Sequence, residues 1–269
     1  MKISYFKKKD GEFPGELPAG DRVYAIGDIH GETALLVGLL EKIAQDEASR
    51  PAARTRLVFL GDTIDRGPNP ATLLKALTAL SERNAICLRG NHEQVMVESY
   101  RGNRQALHLW LRIGGISTLE SFGIEPDLID RGDLDKIIES MQSNIDSEII
   151  ETVESWPAYF RQGTYFFTHA GVRPSVTLTR QNEADLLWIR EPFLSSKLHH
   201  GAIVVHGHTI ERDGPELGRN RIGVDTGGHE YGRLTALGLE ASDQWIVQME
   251  DGRPASDPGE EQTEMSGGY

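Results

Sequence analysis

Three short strings hold side chains that a plain turn does not need: GDIHG at 27–31, GDTIDRG at 61–67 and GNHE at 90–93. In each, Asp or Asn follows a glycine at the end of a β-prone run. Glycine lets the chain turn tightly and pass close to a bound group, while the strand end holds the next side chain still. Two later segments resemble them: FFTHAG sets His169 after a strand-like run, and VVHGHT does the same for His206 and His208. Together Asp28, His30, Asp62, Asn91, His169 and His208 offer oxygen and imidazole donors without thiolate. That set suits a pair of borderline divalent ions, Mn first and Fe or Zn as alternatives, with one carboxylate bridging both. Two such ions roughly 3.5–4 Å apart can acidify a shared water and clamp the oxygens of an in-line displacement at phosphorus. The chemistry is phosphoester hydrolysis.

The elements that must position these groups follow from periodicity. Arg22 to Ile26 is short and β-prone, and Thr33 to Gln45 carries apolar residues at helical spacing, which gives strand, loop, helix. The pattern returns as RLVFL, the GDTIDRGPNP loop and ATLLKALTALSER, where Pro70 stands near a helix start that tolerates its missing N–H. A third copy is AICLR, GNHE and a helix. Three β-loop-α units predict adjacent parallel strands with ligands gathered at their carboxyl ends. Residues 94–160 read as a helical insert, with LHLWLRIGG broken by a glycine pair and 133–156 amphipathic. Strands resume at TYFFT, AIVVH, RIGVD, RLTALGLE and QWIVQME, which read as a second, mostly antiparallel sheet. The stretch 251–269 is acidic and rich in turn residues, and its default state is a flexible tail.

Composition narrows the function. Acids outnumber bases 41 to 28 for a formal charge of -13, which opposes general binding to nucleic acid or anionic lipid. Any bound anion must therefore meet a local positive site. One cysteine excludes an intramolecular disulfide, and no apolar run is long enough for a signal peptide or a membrane span, so a cytoplasmic location is expected. Cys87 sits in AICLR as a small buried hydrophobe. A cysteine phosphatase would need Arg six residues on, where Glu93 stands. An aspartyl phosphotransferase would need Asp two residues after its nucleophile, where Ile64 follows Asp62, and no Walker A string occurs.

The strings GDIHG, GDTIDRG, RGNHE, THAG and GHT, in this order from Arg22 to Glu240, resemble the phosphoprotein phosphatase branch of the calcineurin-like metallophosphoesterases. WLRIGG, DLLWIREPFL and VVHGHT look closest to its bacterial protein phosphatases. The resemblance implies an α/β fold, a β-sandwich of two mixed sheets flanked by helices, with 1–250 as a single catalytic domain. It implies that Asp28, His30 and Asp62 hold one ion and that Asp62, Asn91, His169 and His208 hold the other, with Asp62 as bridge. His92 is then the acid, oriented by Asp65, and Arg66 and Arg190 grip phosphate. The physics agrees with these roles: a serine alkoxide needs a proton as it leaves, a carboxylate fixes the histidine tautomer, and a guanidinium matches phosphate oxygens in pairs.

The expected activity is hydrolysis of protein phosphoserine and phosphothreonine in one step by metal-activated water. Symmetrical cleavage of diadenosine tetraphosphate, or of another small nucleotide, is the alternative, and a non-catalytic binding module a third. His206 is the rival to His208 as ligand, since both flank Gly207. The resemblance places the ligand immediately before the threonine, which favours His208 and leaves His206 as a strand residue behind it. His108, His199, His200 and His229 read as surface or packing residues. Asp225 and His229 stay open between lining the cleft and forming a plain turn, and Arg173 between phosphate and an acid partner. Where eukaryotic relatives carry a SAPNY-type loop, this chain reads GVDTGGHEYGRLTAL.

Overall fold

The computed structural model describes residues 3–5, 15–81 and 85–253; the expected acidic tail lies outside the described residues from position 254 onward. The first half runs β1 (Ile3–Tyr5), β2 (Asp21–Ile26), α1 (Thr33–Ala48), β3 (Arg54–Phe59), α2 (Pro70–Ser81), β4 (Ile86–Cys87) and α3 (Asn91–Tyr100). The β-loop-α recurrence is thus present three times, and β2, β3 and β4 pair in parallel as its spacing predicts. Helices α4 (Arg104–Ile113), α5 (Ile116–Ser121), α6 (Pro126–Asp130), α7 (Leu134–Asn144) and α8 (Ser147–Ser155) follow. The glycine pair 114–115 separates α4 from α5. Asp146 starts α8 by accepting the Glu148 N–H at 3.0 Å, so the amphipathic run is two helices.

The second half contains β5 (Tyr159–Gln162), β6 (Tyr165–Thr168), α9 (Glu183–Trp188), β7 (Ile203–His206), β8 (Glu216–Leu217), β9 (Arg221–Gly223), α10 (Gly228–Tyr231), β10 (Arg233–Glu240) and β11 (Asp243–Glu250). The expectation of one mostly antiparallel second sheet is corrected here. The hairpin β10–β11 joins the first sheet, in the order β1-β11-β10-β2-β3-β4. The second sheet is β5-β6-β7-β9-β8, and its central pairs β6/β7 and β7/β9 are parallel. Both sheets are mixed.

Alternation along the central strands explains the layers. On β2, Val23 and Ala25 enter a core shared with Tyr165, Phe167 and Val205 of the second sheet, whereas Tyr24 and Ile26 pack with Leu36, Leu39 and Leu74 of the helices. On β6 and β7, Phe166 and Val204 turn outward to a third core with Leu186 and Phe193. The result is an α/β sandwich of two sheets flanked by helices. The carboxyl ends of β2, β3 and β4 in one sheet, and of β6, β7 and β9 in the other, meet along one edge, as the contacts below show.

Candidate metal centre

Each expected ligand leaves the end of an element. Asp28 and His30 follow β2, Asp62 follows β3, Asn91 opens α3, His169 follows β6 and His208 follows β7. Gly90 is the residue before α3, so Asn91 is the first helical residue and not its cap. Two glycines admit the carboxylates by close approach: a Cβ at Gly90 would overlap Asp62 Oδ1, and one at Gly207 would overlap Asp28 Oδ1. Among the described residues, seven non-glycine residues have left-handed backbone, and His30, Asp62, Asp65, Arg66 and His208 are five of them. Such strain costs about 1–3 kcal/mol each and concentrates where geometry serves a site.

The structure gathers His30, Asp62 and His92, and likewise Asp62, His169 and His208, with ligand atoms in each trio within 4.8 Å of one another. Asp62 is common to both. Its Oδ2 lies 3.8 Å from His30 Nε2, 3.7 Å from His92 Nε2 and 3.4 Å from His169 Nε2. Asn91 Oδ1 and His208 Nδ1 lie 2.8 and 3.2 Å from His169 Nε2. Asp28 is in neither trio; it reaches the centre by accepting the His208 backbone N–H on both oxygens, at 3.1 and 3.0 Å.

The ring orientations suit a cation. The His30 Nδ1–H donates to the Ile64 carbonyl at 2.8 Å and the His169 Nδ1–H to the Leu60 carbonyl at 2.9 Å, which turns both Nε2 atoms inward. Burial, then the neighbouring His92 charge, holds His30 well below the usual imidazole range, and burial with His169 pushes His208 down to about 3. Burial and the adjacent Asp225 and Asp62 charges push Asp28 well up. Burial raises Asp225, after β9, to about 6. For Asp62, burial is overcome by the His169 and His92 charges, and its carboxyl is pulled well down. Burial opposes a charge on His169, but the Asp62 charge outweighs it and raises the ring's pKa. The lowered imidazoles His30 and His208 and the crowded acids Asp28 and Asp225 form a donor set that two divalent ions fit.

Beside this cluster stands a second arrangement. His92 donates Nδ1–H to Asp65 Oδ2 at 2.5 Å, and Asp65 is completely buried. Trp110 Nε1 of α4 (2.7 Å) and Thr118 Oγ1 of α5 (2.5 Å) also donate to Asp65, so the helical segment fixes the carboxylate. Burial opposes a charge on His92, but Asp62 and the Asp65 hydrogen bond outweigh it and raise its pKa. Glu93 braces the loops by accepting the N–H groups of Asp62, Thr63 and Gly90 at 2.8–2.9 Å.

A family model for the calcineurin-like phosphoesterases matches residues 21–233. The chain belongs to this family. This phosphoesterase is therefore a hydrolase of a metal-dependent class. It is 30% identical over 153 residues to a symmetrical bis(5'-nucleosyl)-tetraphosphatase of Methylococcus capsulatus, covering 57% of this chain and 44% of that relative. It is 26% identical over 235 residues to the asymmetrical bis(5'-nucleosyl)-tetraphosphatase PrpE of Anoxybacillus flavithermus, covering 79% and 88%. A solved structure assigned as a candidate diadenosine tetraphosphatase superposes with a TM-score of 0.60 at 20% identity, over 90% of this chain and 99% of that one. These relatives carry tetraphosphatase names, where the strings WLRIGG and DLLWIREPFL had pointed to protein phosphatases.

The remaining expectations sort by contact. Arg66 reaches the cluster, its Nη1 3.3 Å from His30 Nε2 and its Nη2 3.5 Å from His92 Nε2. Arg190 lies exposed just past α9, and its charge helps depress His208. Arg173 pairs with Asp185 at 2.7 Å, which is the acid-partner alternative. His206 is fully buried behind Gly207 with its ring 5.1 Å from that of Phe193. His108 and His199 are exposed and His200 half-buried. His229 follows the cleft alternative rather than the surface, packing or plain-turn one: its Nε2 lies 3.1 Å from Arg66 Nη1. In the sequence Trp110 and Thr118 carry no role of their own, with the WLRIGG string the one signal near Trp110, and Glu93 has a place in GNHE but not its bracing role.

No helix among the described residues is long and apolar enough to cross a membrane.

Proposed function

We propose that this phosphoesterase removes phosphate from alcohol esters, the phosphoserine and phosphothreonine of proteins, at a centre of two divalent ions with Mn as the ion used. Asp28, His30 and Asp62 would hold one ion and Asp62, Asn91, His169 and His208 the other. Such ions, when bound, polarise the phosphoryl group and activate water for attack. Arg66 and Arg190 would neutralise and orient the substrate anion, since a guanidinium fork matches phosphate oxygens. His92, held by Asp65, would carry a proton on Nε2 and deliver it to the departing alkoxide oxygen.

The observation that carries this reading is the His92–Asp65 pair at 2.5 Å, with Trp110 and Thr118 on the same carboxylate. Three donors on one buried acid fix the ring, and the carboxylate beside it favours its protonated form, which is what a leaving group that cannot depart unprotonated demands. A second reading, hydrolysis of dinucleoside tetraphosphates, is supported by the names of the relatives. An anhydride releases a stable phosphate and leans less on His92. Turnover of phosphopeptides, small phosphomonoesters and diadenosine tetraphosphate, measured side by side with Mn, separates the two. Highest kcat/KM on phosphopeptides supports the first reading; highest kcat/KM on the dinucleotide overturns it.

A further inference from the structure

We propose that His229 is the positioning residue of Arg66, holding one arm of its guanidinium so that the rest of the fork faces the substrate phosphate; this rests on the reading of Arg66 as a phosphate-gripping group. Arg66 sits in left-handed backbone with φ 64°, its N–H donating to the Gly114 carbonyl at 3.2 Å and its Nε to the Ile113 carbonyl at 3.3 Å. The far end of the side chain meets no carboxylate among the described residues. It lies instead against the Nε2 atoms of three imidazoles, at 3.1 Å for His229, 3.3 Å for His30 and 3.5 Å for His92.

Two of those rings have other duties. His30 Nε2 faces Asp62 Oδ2 at 3.8 Å in the donor trio, and His92 must hold a proton on the same nitrogen to serve as acid, so it cannot accept from a guanidinium. His229 alone has an uncommitted lone pair, and its Nε2 accepts the Arg66 Nη1–H. That leaves the second Nη1 hydrogen and Nη2 for substrate.

His229 is itself held on three sides. Gly227, at φ 74°, donates its N–H to Asp225 Oδ1 at 2.9 Å and starts α10. The His229 carbonyl accepts Arg253 Nη1 at 3.1 Å, and the same nitrogen pairs with Glu32 Oε1 at 2.9 Å. The His229 ring meets the His30 ring edge-on at 4.8 Å. A long, flexible arginine is thereby fixed before substrate arrives, which lowers the ordering cost of binding.

The test compares His229→Ala, His229→Gln and Arg66→Ala in the Mn-supplemented full-length chain, with KM, kcat and the affinity for inorganic phosphate by calorimetry as readouts. Gln keeps an acceptor at similar reach. Loss of one hydrogen bond to a charged group predicts that His229→Ala weakens phosphate binding and raises KM roughly tenfold, with kcat little changed. His229→Gln should recover most of that loss, and adding His229→Ala to Arg66→Ala should cost nothing further. A fall in kcat at constant KM, additive losses in the double variant, or loss of Mn binding in His229→Gln would overturn the proposal. An Arg66→Ala variant with unchanged phosphate affinity would overturn the phosphate grip as well, whereas a weakened Arg66→Ala beside a silent His229→Ala overturns the positioning role alone.

Discussion

Asp46 and Asp62 are both buried aspartates, and the protein treats them oppositely. Asp46, near the end of α1, is completely buried and accepts the Tyr24 hydroxyl at 2.6 Å, Trp245 Nε1 at 2.8 Å and Arg50 Nε at 2.8 Å. Burial would raise its pKa, but the Arg50 and Tyr24 hydrogen bonds win and hold it below the usual carboxylate range. The Arg50 guanidinium also covers the Trp245 ring at 3.5 Å. Among the described residues Asp62 has no arginine partner of that kind. It faces three histidines, and the nearby Asp28 is driven up by burial and by the Asp225 and Asp62 charges. One acid is satisfied by its own chain, while the other belongs to a donor set that two divalent ions fit. The first pattern stabilises a fold; the second is poised for cations from outside.

The contrast can be broken at either end. The largest expected effect is Asp62→Asn, which should lower Mn-supplemented hydrolysis by roughly 10³-fold or more, beyond the 10–100-fold typical of losing a group that only orients a ligand. Steady-state kinetics checks this, and retention of more than a tenth of the wild-type rate would contradict it. Asp46→Ala strands two buried donors and the part-buried Arg50 cation and should cost about 3 kcal/mol, a fall in Tm of roughly 10 °C, with Mn stoichiometry unchanged. Calorimetry with and without Mn measures both.

His92→Ala should cost phosphoserine turnover about 10²-fold and p-nitrophenyl phosphate turnover much less, because only the alkoxide needs a proton from the enzyme. Equal losses on the two substrates would remove the acid role. The smallest effect is in the acid limb of stability. A carboxyl whose pKa is lowered on folding contributes stability that is present above its unfolded value and lost as pH falls through its folded value. Tm of Asp46→Asn should therefore lie below wild type at neutral pH and converge toward it on acidification below about pH 4. A gap that stays constant down to acid would contradict the assignment.

The candidate ligand strings share a local rule that a sequence shows: Asp, His or Asn at a strand end, opened by a glycine in every string but that of His169. Their partners were not legible this way. Trp110 and Thr118 lie 45 and 53 residues from Asp65, and on helical segments a tryptophan or threonine reads equally well as packing. His229 has no string around it that distinguishes a cleft from a turn, and only the 3.1 Å approach to Arg66 does so. The hairpin β10–β11 was legible as two strands but not as part of the first sheet. Leu237 and Ile246 face the other sheet while Ala236 and Trp245 face the helices, and a strand buried on both sides carries no mark of which sheet it enters.

The central claim is that the cluster around Asp62 takes two divalent ions, and metal content tests it most directly. Wild-type protein stripped by chelation and titrated with Mn in a calorimeter should bind two ions per chain, recover hydrolysis with them, and lose both responses in Asp62→Asn. Full activity after exhaustive chelation, or two ions still bound by Asp62→Asn, would contradict the account.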